Sequence, residues 1–151
     1  MSLRAGLSIS VLCVALAACG EETPLRAIYE IAHDLEHEDA DAVCARLFPA
    51  GLLPARIATA LGVPPGEGEP RRWETEQARC ARDLRHRARY ADFSFEAPIV
   101  RGVEAVPVTR EQGITAAARA RVELKGQPER ILPLVEFQGK WRVVTTRWAT
   151  R

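Results

Sequence analysis

Two histidines one helical turn apart are the residues whose types and spacing most directly imply chemistry. His33 and His37 enclose Glu36 in the string His-x-x-Glu-His. On a helix both imidazoles would share one face, and two nitrogen ligands with a carboxylate base are suited to zinc-dependent hydrolysis. A catalytic zinc site needs a third protein ligand from elsewhere, and both histidines fall outside the apolar stripe of their segment. We therefore interpret them as exposed residues of an acidic helix, and we expect no metal and no cofactor.

Other catalytic motifs are absent from the sequence. It has no Gly-x-Ser-x-Gly, no Walker phosphate loop and no Cys-x-x-Cys, which are short motifs of nucleophilic, phosphate and redox chemistry. Three ionisable side chains remain as candidates to line a pocket where helices meet sheet: Tyr29, Tyr90 and Asp92. No residue is assigned a catalytic role.

The first eighteen residues have the plan of an export signal. Arg4 precedes an apolar run from Leu7 to Ala18, and this run is shorter than the roughly twenty residues that a spanning helix needs. The run ends in Leu16-Ala17-Ala18-Cys19, which resembles the lipobox of bacterial lipoprotein precursors. The resemblance implies cleavage before Cys19 and acylation of its thiol, which anchors the mature protein in a membrane. The alternative is an ordinary signal peptide that leaves Cys19 as a free thiol.

The domain organisation follows from this signal. We expect a lipoprotein signal peptide over 1–18, a lipidated N-terminus with a short tether over 19–23, and a single domain over 24–151.

Two cysteines remain once Cys13 leaves with the signal and Cys19 is lipidated. Cys44 and Cys80 can form one intramolecular bridge, and export to an oxidising compartment favours it. Closing a loop of about 36 residues would stabilise the fold by about 3.8 kcal/mol in the chain-entropy model. Two separate buried thiols are the alternative.

Hydrophobic periodicity predicts helices in the first half of the mature chain. Thr23 and Pro24 are typical of a helix start, and four apolar residues recur at helical spacing after them: Leu25, Ile28, Ala32 and Leu35. They predict a helix over about 24–37. Further helices are predicted over 39–48, 53–61 and 72–89, with Gly62 ending the third.

Alternating periodicity predicts strands in the second half. The clearest strand covers 114–124, with its even positions facing the core and Arg119, Arg121 and Glu123 facing water. Other strands are predicted over 103–108, 131–137 and 141–148, the last two joined by a tight turn at 138–139. Helices followed by an antiparallel meander indicate the α+β class: N-terminal helices packed on a curved antiparallel sheet.

Three alanines on the inner face of that strand leave volume in the interior: Ala116, Ala118 and Ala120. Either large neighbours fill this volume or a pocket remains. Trp73, Phe93, Phe95 and Trp141 are available to fill it, so a filled core is favoured.

Charge is unevenly distributed along the chain. The segment 21–41 holds eight acids and one arginine, whereas a later segment is rich in arginine. This basic cluster consists of Arg71, Arg72, Arg79, Arg82, Arg85, His86, Arg87 and Arg89. It either contacts anionic lipid headgroups, pairs with the acidic segment or forms a solvated face, and the opposite charge of the acidic segment favours the latter two.

Length and composition exclude several classes of protein. The 151 residues suffice for one domain, and 47% apolar with 27% charged residues excludes a disordered chain or a multi-span membrane protein. The net charge of +1 argues against a nucleic-acid binder.

The order of these elements resembles the nuclear transport factor two-like superfamily, whose domains are cystatin-like cones. The resemblance rests on a first helix, helices that carry Cys44 and Cys80, and a curved sheet ending in VEFQGKWRVV at 135–144. Small lipoproteins of high-GC bacteria with this fold share such cysteines and such a closing hairpin. The resemblance implies a cone-shaped domain over about 24–148. The superfamily includes isomerases, dehydratases and cyclases beside non-catalytic members, so the fold does not fix the function.

These observations predict an exported protein that is lipid-anchored to a bacterial membrane at the cell envelope. We expect a non-catalytic binding or accessory domain whose partner is a small apolar ligand or an envelope protein. The alternative is a small acid–base enzyme that uses the cone pocket, with Tyr29, Tyr90, Asp92 or a histidine as candidates. An enzyme needs at least two ionisable groups converging in an apolar cavity, which distinguishes the two.

Overall fold

The structure, a computed structural model, describes residues 22–64, 72–87 and 97–145. Over these residues four α-helices and a short 3₁₀ turn at Ala50–Leu52 accompany a five-stranded sheet. The helices are α1 (Pro24–Glu36), α2 (Ala40–Ala45), α3 (Ala55–Leu61) and α4 (Trp73–Arg87). The strands are β1 (Leu47–Pro49), β2 (Ile99–Val106), β3 (Ile114–Glu123), β4 (Arg130–Phe137) and β5 (Lys140–Thr145). The helices pack against a curved, open sheet, which confirms the α+β class.

Polar caps set the helix ends close to their predicted positions. Thr23 Oγ1 accepts a hydrogen bond from the Arg26 amide at 3.2 Å, and α1 begins at the proline that follows this cap. Asp39 Oδ1 likewise accepts a hydrogen bond from the Ala42 amide of α2 at 3.0 Å. Gly62 ends α3 with a φ of 70°, as predicted from its lack of a Cβ.

The packed face of α1 contains most of the predicted stripe but is centred differently. Ala27, Ile28 and Ile31 are completely buried, whereas Leu25 is 44% exposed. Of the predicted stripe, Ile28 is fully buried, and Ala32 and Leu35 are partly buried against the same core cluster. Periodicity alone therefore could not fix the centre of the face, which packing against α2 and the sheet decides.

The sheet has the strand order β1-β5-β4-β3-β2, and the pairs among β2 to β5 are antiparallel, as predicted. The expectation of a wholly antiparallel sheet is wrong, because β1 pairs with β5 in parallel, Leu47 opposite Val143. The predicted helix over 39–48 accordingly ends at Ala45, and the next residues extend to pair with β5. Tertiary pairing of this short segment outweighs its helical pattern.

Both faces of the sheet are partly covered, which corrects the expectation that one face is wet. Neighbouring residues of a strand point to opposite faces, and Leu134 and Val135 of β4 belong to two different core clusters. The inner cluster joins the sheet to α1, α2 and α4 and includes Ile28, Ile31, Val43, Leu84, Ala120, Leu134 and Val143. The outer cluster joins its other face to α3 and includes Phe48, Ile57, Leu61, Ile114, Ala117, Val135 and Val144.

Strand β2 lies at the end of the sheet order. It runs from Ile99 to Val106 rather than over the predicted 103–108, because it stops before Pro107, which lacks the amide that a ladder needs. An irregularity in its pairing with β3 lies between Val100 and Gly102. The predicted residues 88–96 and 146–148 lie outside the described residues. Within the three described ranges, no helix is long and apolar enough to cross a membrane.

Candidate functional site

A disulfide between α2 and α4 confirms the predicted cysteine pair. Cys44 and Cys80 are bonded, with their Cα atoms 5.9 Å apart, and both are buried in the inner cluster. The bond fastens two helices whose own lengths are too short for independent stability. Cys19 lies outside the described residues, so its lipidation stays a prediction.

The inner face of β3 is packed against the helices. Ala118 and Ala120 are 2% and 0% exposed, and Ile28, Ile31 and Leu84 belong to the same core region as Ala120. Aliphatic side chains of α1 and α4 thus occupy the volume that small residues leave. Of the large neighbours expected there, Trp141 packs against this cluster as predicted, whereas Trp73 packs against the outer one. Phe93 and Phe95 lie outside the described residues.

The three residues predicted to line a pocket are not brought together by the described part of the chain. Tyr29 lies on α1 with 46% of its surface exposed. Tyr90 and Asp92 lie outside the described residues, so their part in a pocket stays a prediction.

A cavity of about 400 Å³ lies beside the turn that joins β3 to β4, at the start of β2. Ile99 and Leu124 supply apolar surface, while Glu123 and Lys125 supply charges. Glu123 already pairs with Arg101 at 2.8 Å. The cavity therefore has no free convergent acid–base pair in its described lining.

A buried arginine of β5 is the strongest polar feature that the sequence did not predict. Arg142 is 3% exposed, and its guanidinium carbon lies 4.2 Å from the ring centre of Trp73. Its Nε donates to the carbonyl of Phe137 at 3.3 Å, and its Nη1 donates to the carbonyl of Ala45 at the end of α2. The cation is thus placed at a helix C-terminus, where the helix dipole favours positive charge.

Burial is the main influence on the electrostatics of Arg142. Burial and the neighbouring Arg46 guanidinium lower the pKa of Arg142 to about 10, so it remains a cation at neutral pH. Burial also lowers the pKa of Arg46, which forms ion pairs with Glu22 and Glu30. Two adjacent guanidinium groups are thus held by different partners, one by carboxylates and one by carbonyls. This cluster ties the start of the domain to its last strand.

The two histidines lie at the end of α1, as the helical spacing predicts. Both side chains are exposed, and their ring centres are 4.2 Å apart. His37 ends the helix, and its Nδ1 lies 2.8 Å from the carbonyl oxygen of His33. Because a carbonyl can only accept, Nδ1 carries the proton and Nε2 keeps its lone pair in the neutral ring.

The carboxyl group of Asp34 lies on the same helix as these rings. Burial and the nearby carboxylates of Asp39 and Glu30 raise the pKa of Asp34, whereas His33 and His37 act to lower it. Across the described residues, no group of three or more histidine, cysteine, aspartate and glutamate side chains converges to hold a metal ion.

One arginine of the basic cluster pairs with the acidic segment, as expected. Arg85 of α4 forms an ion pair with Asp41 of α2, and both side chains are exposed. Arg72 and Arg82 are also exposed. Arg71 and Arg89 lie outside the described residues.

Comparison with known proteins gives no relative: no family model, no curated protein and no solved structure matches the chain.

Proposed function

We propose that the chain is an exported lipoprotein whose domain acts as a non-catalytic binding or accessory module at the cell envelope. The observation that carries the proposal is the disulfide between Cys44 and Cys80. Structural disulfides persist in oxidising compartments outside the cytosol. This bond therefore agrees with export through the signal in residues 1–18.

Lipidation of Cys19 is the second part of the proposal. Glu22 forms an ion pair with Arg46, and α1 begins two residues later at Pro24. If Cys19 carries the lipid, only residues 20 and 21 separate the anchor from this contact. The domain would then sit within about 10 Å of the membrane surface, since an extended chain spans about 3.5 Å per residue. We also propose a nuclear transport factor two-like origin, because helices that carry Cys44 and Cys80 precede a curved sheet, as the resemblance implies.

The packing of the interior favours a partner at the surface over an apolar ligand inside the cone. Ala118 and Ala120 contribute to a filled core among the described residues. Elsewhere among the described residues two ionisable side chains, Glu76 and Arg142, are buried, and the arginine donates to backbone carbonyls. An envelope protein is therefore the partner that we favour.

Fractionation of the exporting cell tests the anchor. The full chain should sediment with membranes and incorporate labelled palmitate, and Cys19→Ala should abolish the label and move the protein to the soluble fraction. Cys13→Ala is the matched control, because it removes a signal-peptide thiol and keeps Cys19. If Cys19→Ala and wild type fractionate alike and neither is labelled, the lipoprotein proposal fails.

Titration with a fluorescent fatty acid tests the choice of partner. We expect no saturable binding by the purified full chain, because the core formed by the described residues is filled. One-to-one binding that an unlabelled fatty acid displaces would instead establish a small apolar ligand.

A further inference from the structure

We propose that His33 and His37 form a surface site for one divalent transition-metal ion of the kind that imidazole prefers, Zn²⁺, Ni²⁺ or Cu²⁺. Two side chains four residues apart on a helix lie one above the other. Their ring centres are 4.2 Å apart, so both exposed imidazoles reach the same small volume, in which small rotations of the rings would place one nitrogen of each about 2.0 to 2.1 Å from a shared ion.

The hydrogen bond of His37 is the independent observation that points to a ligand. Its Nδ1 donates to the carbonyl of His33 at 2.8 Å. Histidines that bind metals commonly donate their other ring N–H to a backbone carbonyl, since this bond fixes the tautomer and orients the ring. In His37 the bond leaves Nε2 as the metal-binding atom. The orientation of this ring is therefore already fixed in the metal-free protein.

The surrounding charge favours a cation. Asp34 directly follows His33 and lies three residues before His37 on the same helix, so its carboxylate supplies negative potential beside the rings. No third protein ligand converges on the pair in the described part of the chain. The remaining coordination positions would be filled by water, which gives an exchangeable surface ion and not a catalytic centre.

The choice of ion follows from the ligands. Imidazole nitrogen suits Zn²⁺, Ni²⁺ and Cu²⁺, whereas Mg²⁺ and Ca²⁺ prefer oxygen. An acidic surface without imidazole ligands would instead bind Mg²⁺ and Ca²⁺. Competition between the two classes therefore separates a histidine site from a diffuse acidic one.

Calorimetric titration of the full chain with Zn²⁺, without an affinity tag, tests the site. We expect one ion per chain, no competition from millimolar Mg²⁺, and affinity weakened roughly tenfold or more by His33→Gln or His37→Gln. His86→Gln is the matched control, because it removes the third histidine of the chain and should leave the affinity unchanged. Both test positions are exposed, and a far-UV spectrum checks that each variant folds.

Histidine proton resonances give a second readout. Zn²⁺ should shift and broaden the ring signals of His33 and His37 together. Absence of Zn²⁺ binding to the wild type, equal binding by His33→Gln and His37→Gln, or displacement by Mg²⁺ would each overturn the proposal. None of these outcomes bears on the lipid anchor, which the Cys19 experiment tests separately.

Discussion

At the scale of single residues, Arg142 illustrates how backbone carbonyls can hold a buried charge. Carbonyls of Ala45 and Phe137 accept its protons, and Trp73 lies against its face. A buried donor group usually stabilises a fold less by its own hydrogen bonds than by sparing its partners from being unsatisfied. Removal of the side chain should therefore be costly.

Arg142→Ala should lower the free energy of unfolding by about 3 kcal/mol, since two carbonyls lose a donor and a cavity opens beside Trp73. Lys140→Ala is the matched control, because Lys140 lies on the same strand and is exposed. Its effect should stay within about 0.5 kcal/mol. Chemical denaturation measures both, and equal losses would show that the buried contacts of Arg142 contribute nothing.

Asp34 gives a pH-dependent prediction. Its pKa in the folded state is raised above 3.8, first by burial and then by Asp39. The ionised form is thus disfavoured by folding, so the carboxylate destabilises the protein at neutral pH and ceases to do so once pH falls below its unfolded value of about 3.9.

Asp34→Asn should accordingly stabilise the protein at pH 7 by at most a few tenths of a kcal/mol, because the group is largely solvated. The difference from wild type should shrink on acidification to about pH 3. Paired thermal unfolding curves at the two pH values measure it. A stabilisation that grows as pH falls would contradict the direction of the shift.

At the scale of elements, the hairpin between β4 and β5 depends on its turn. Gln138 and Gly139 have φ values of 53° and 72°, the left-handed region that a two-residue hairpin turn of type I′ requires. Only glycine adopts such a value without steric cost.

Gly139→Ala should lower the free energy of unfolding by about 1 kcal/mol through backbone strain alone, since open space surrounds the position of its Cβ. Gly51→Ala is the matched control: it also meets open space, and its φ is not positive. Denaturation midpoints compare the two. If Gly51→Ala is as harmful as Gly139→Ala, turn strain is not the cause.

Local sequence patterns predicted the helices and strands better than they predicted which residues pack around each of them. The strand over 114–124 and the Gly62 cap follow from spacing that each segment carries within itself. Leu47 and Phe48 also suit a helix, and only their pairing with a strand far along the chain makes them extended. Arg142 was missed for the same reason. Alternation predicts that its side chain points to the other face of the sheet from Val143, but no local pattern reveals that Trp73 covers that face.

The predicted site shows the same division. Cys44 and Cys80 could be paired in advance, because two thiols and an oxidising compartment leave few alternatives. His33 and His37 were correctly expected at the surface from helical spacing. The hydrogen bond from His37 to the His33 carbonyl depends on the exact ring rotation at the end of the helix, which no residue pattern encodes.

At the scale of the whole molecule, the disulfide joins two cysteines that are 36 residues apart in sequence, on helices α2 and α4. Most of its effect is expected to come from restricting the unfolded chain. Loss of the bond should therefore leave the native packing intact and lower the free energy of unfolding.

The double variant Cys44→Ala, Cys80→Ala should lose about 3.8 kcal/mol of unfolding free energy. Wild type unfolded in the presence of reductant is the matched comparison and should unfold at the same denaturant concentration as the variant. Peptide mapping without reductant should recover the two cysteines joined. Two freely alkylated thiols in the native exported protein would contradict the bond.

The parallel pairing of β1 with β5 also determines when this protein can fold. Leu47 must meet Val143, and Val143 donates its amide to the carbonyl of Arg46 at 2.9 Å. Leu47 and Val143 are 96 residues apart in sequence, so this contact closes only after β5 has been synthesised. Helices α1 and α2 emerge early without the strand that covers them. If the proposed export takes place, a domain that cannot complete its sheet before β5 is synthesised would cross the membrane unfolded and acquire its structure on the far side.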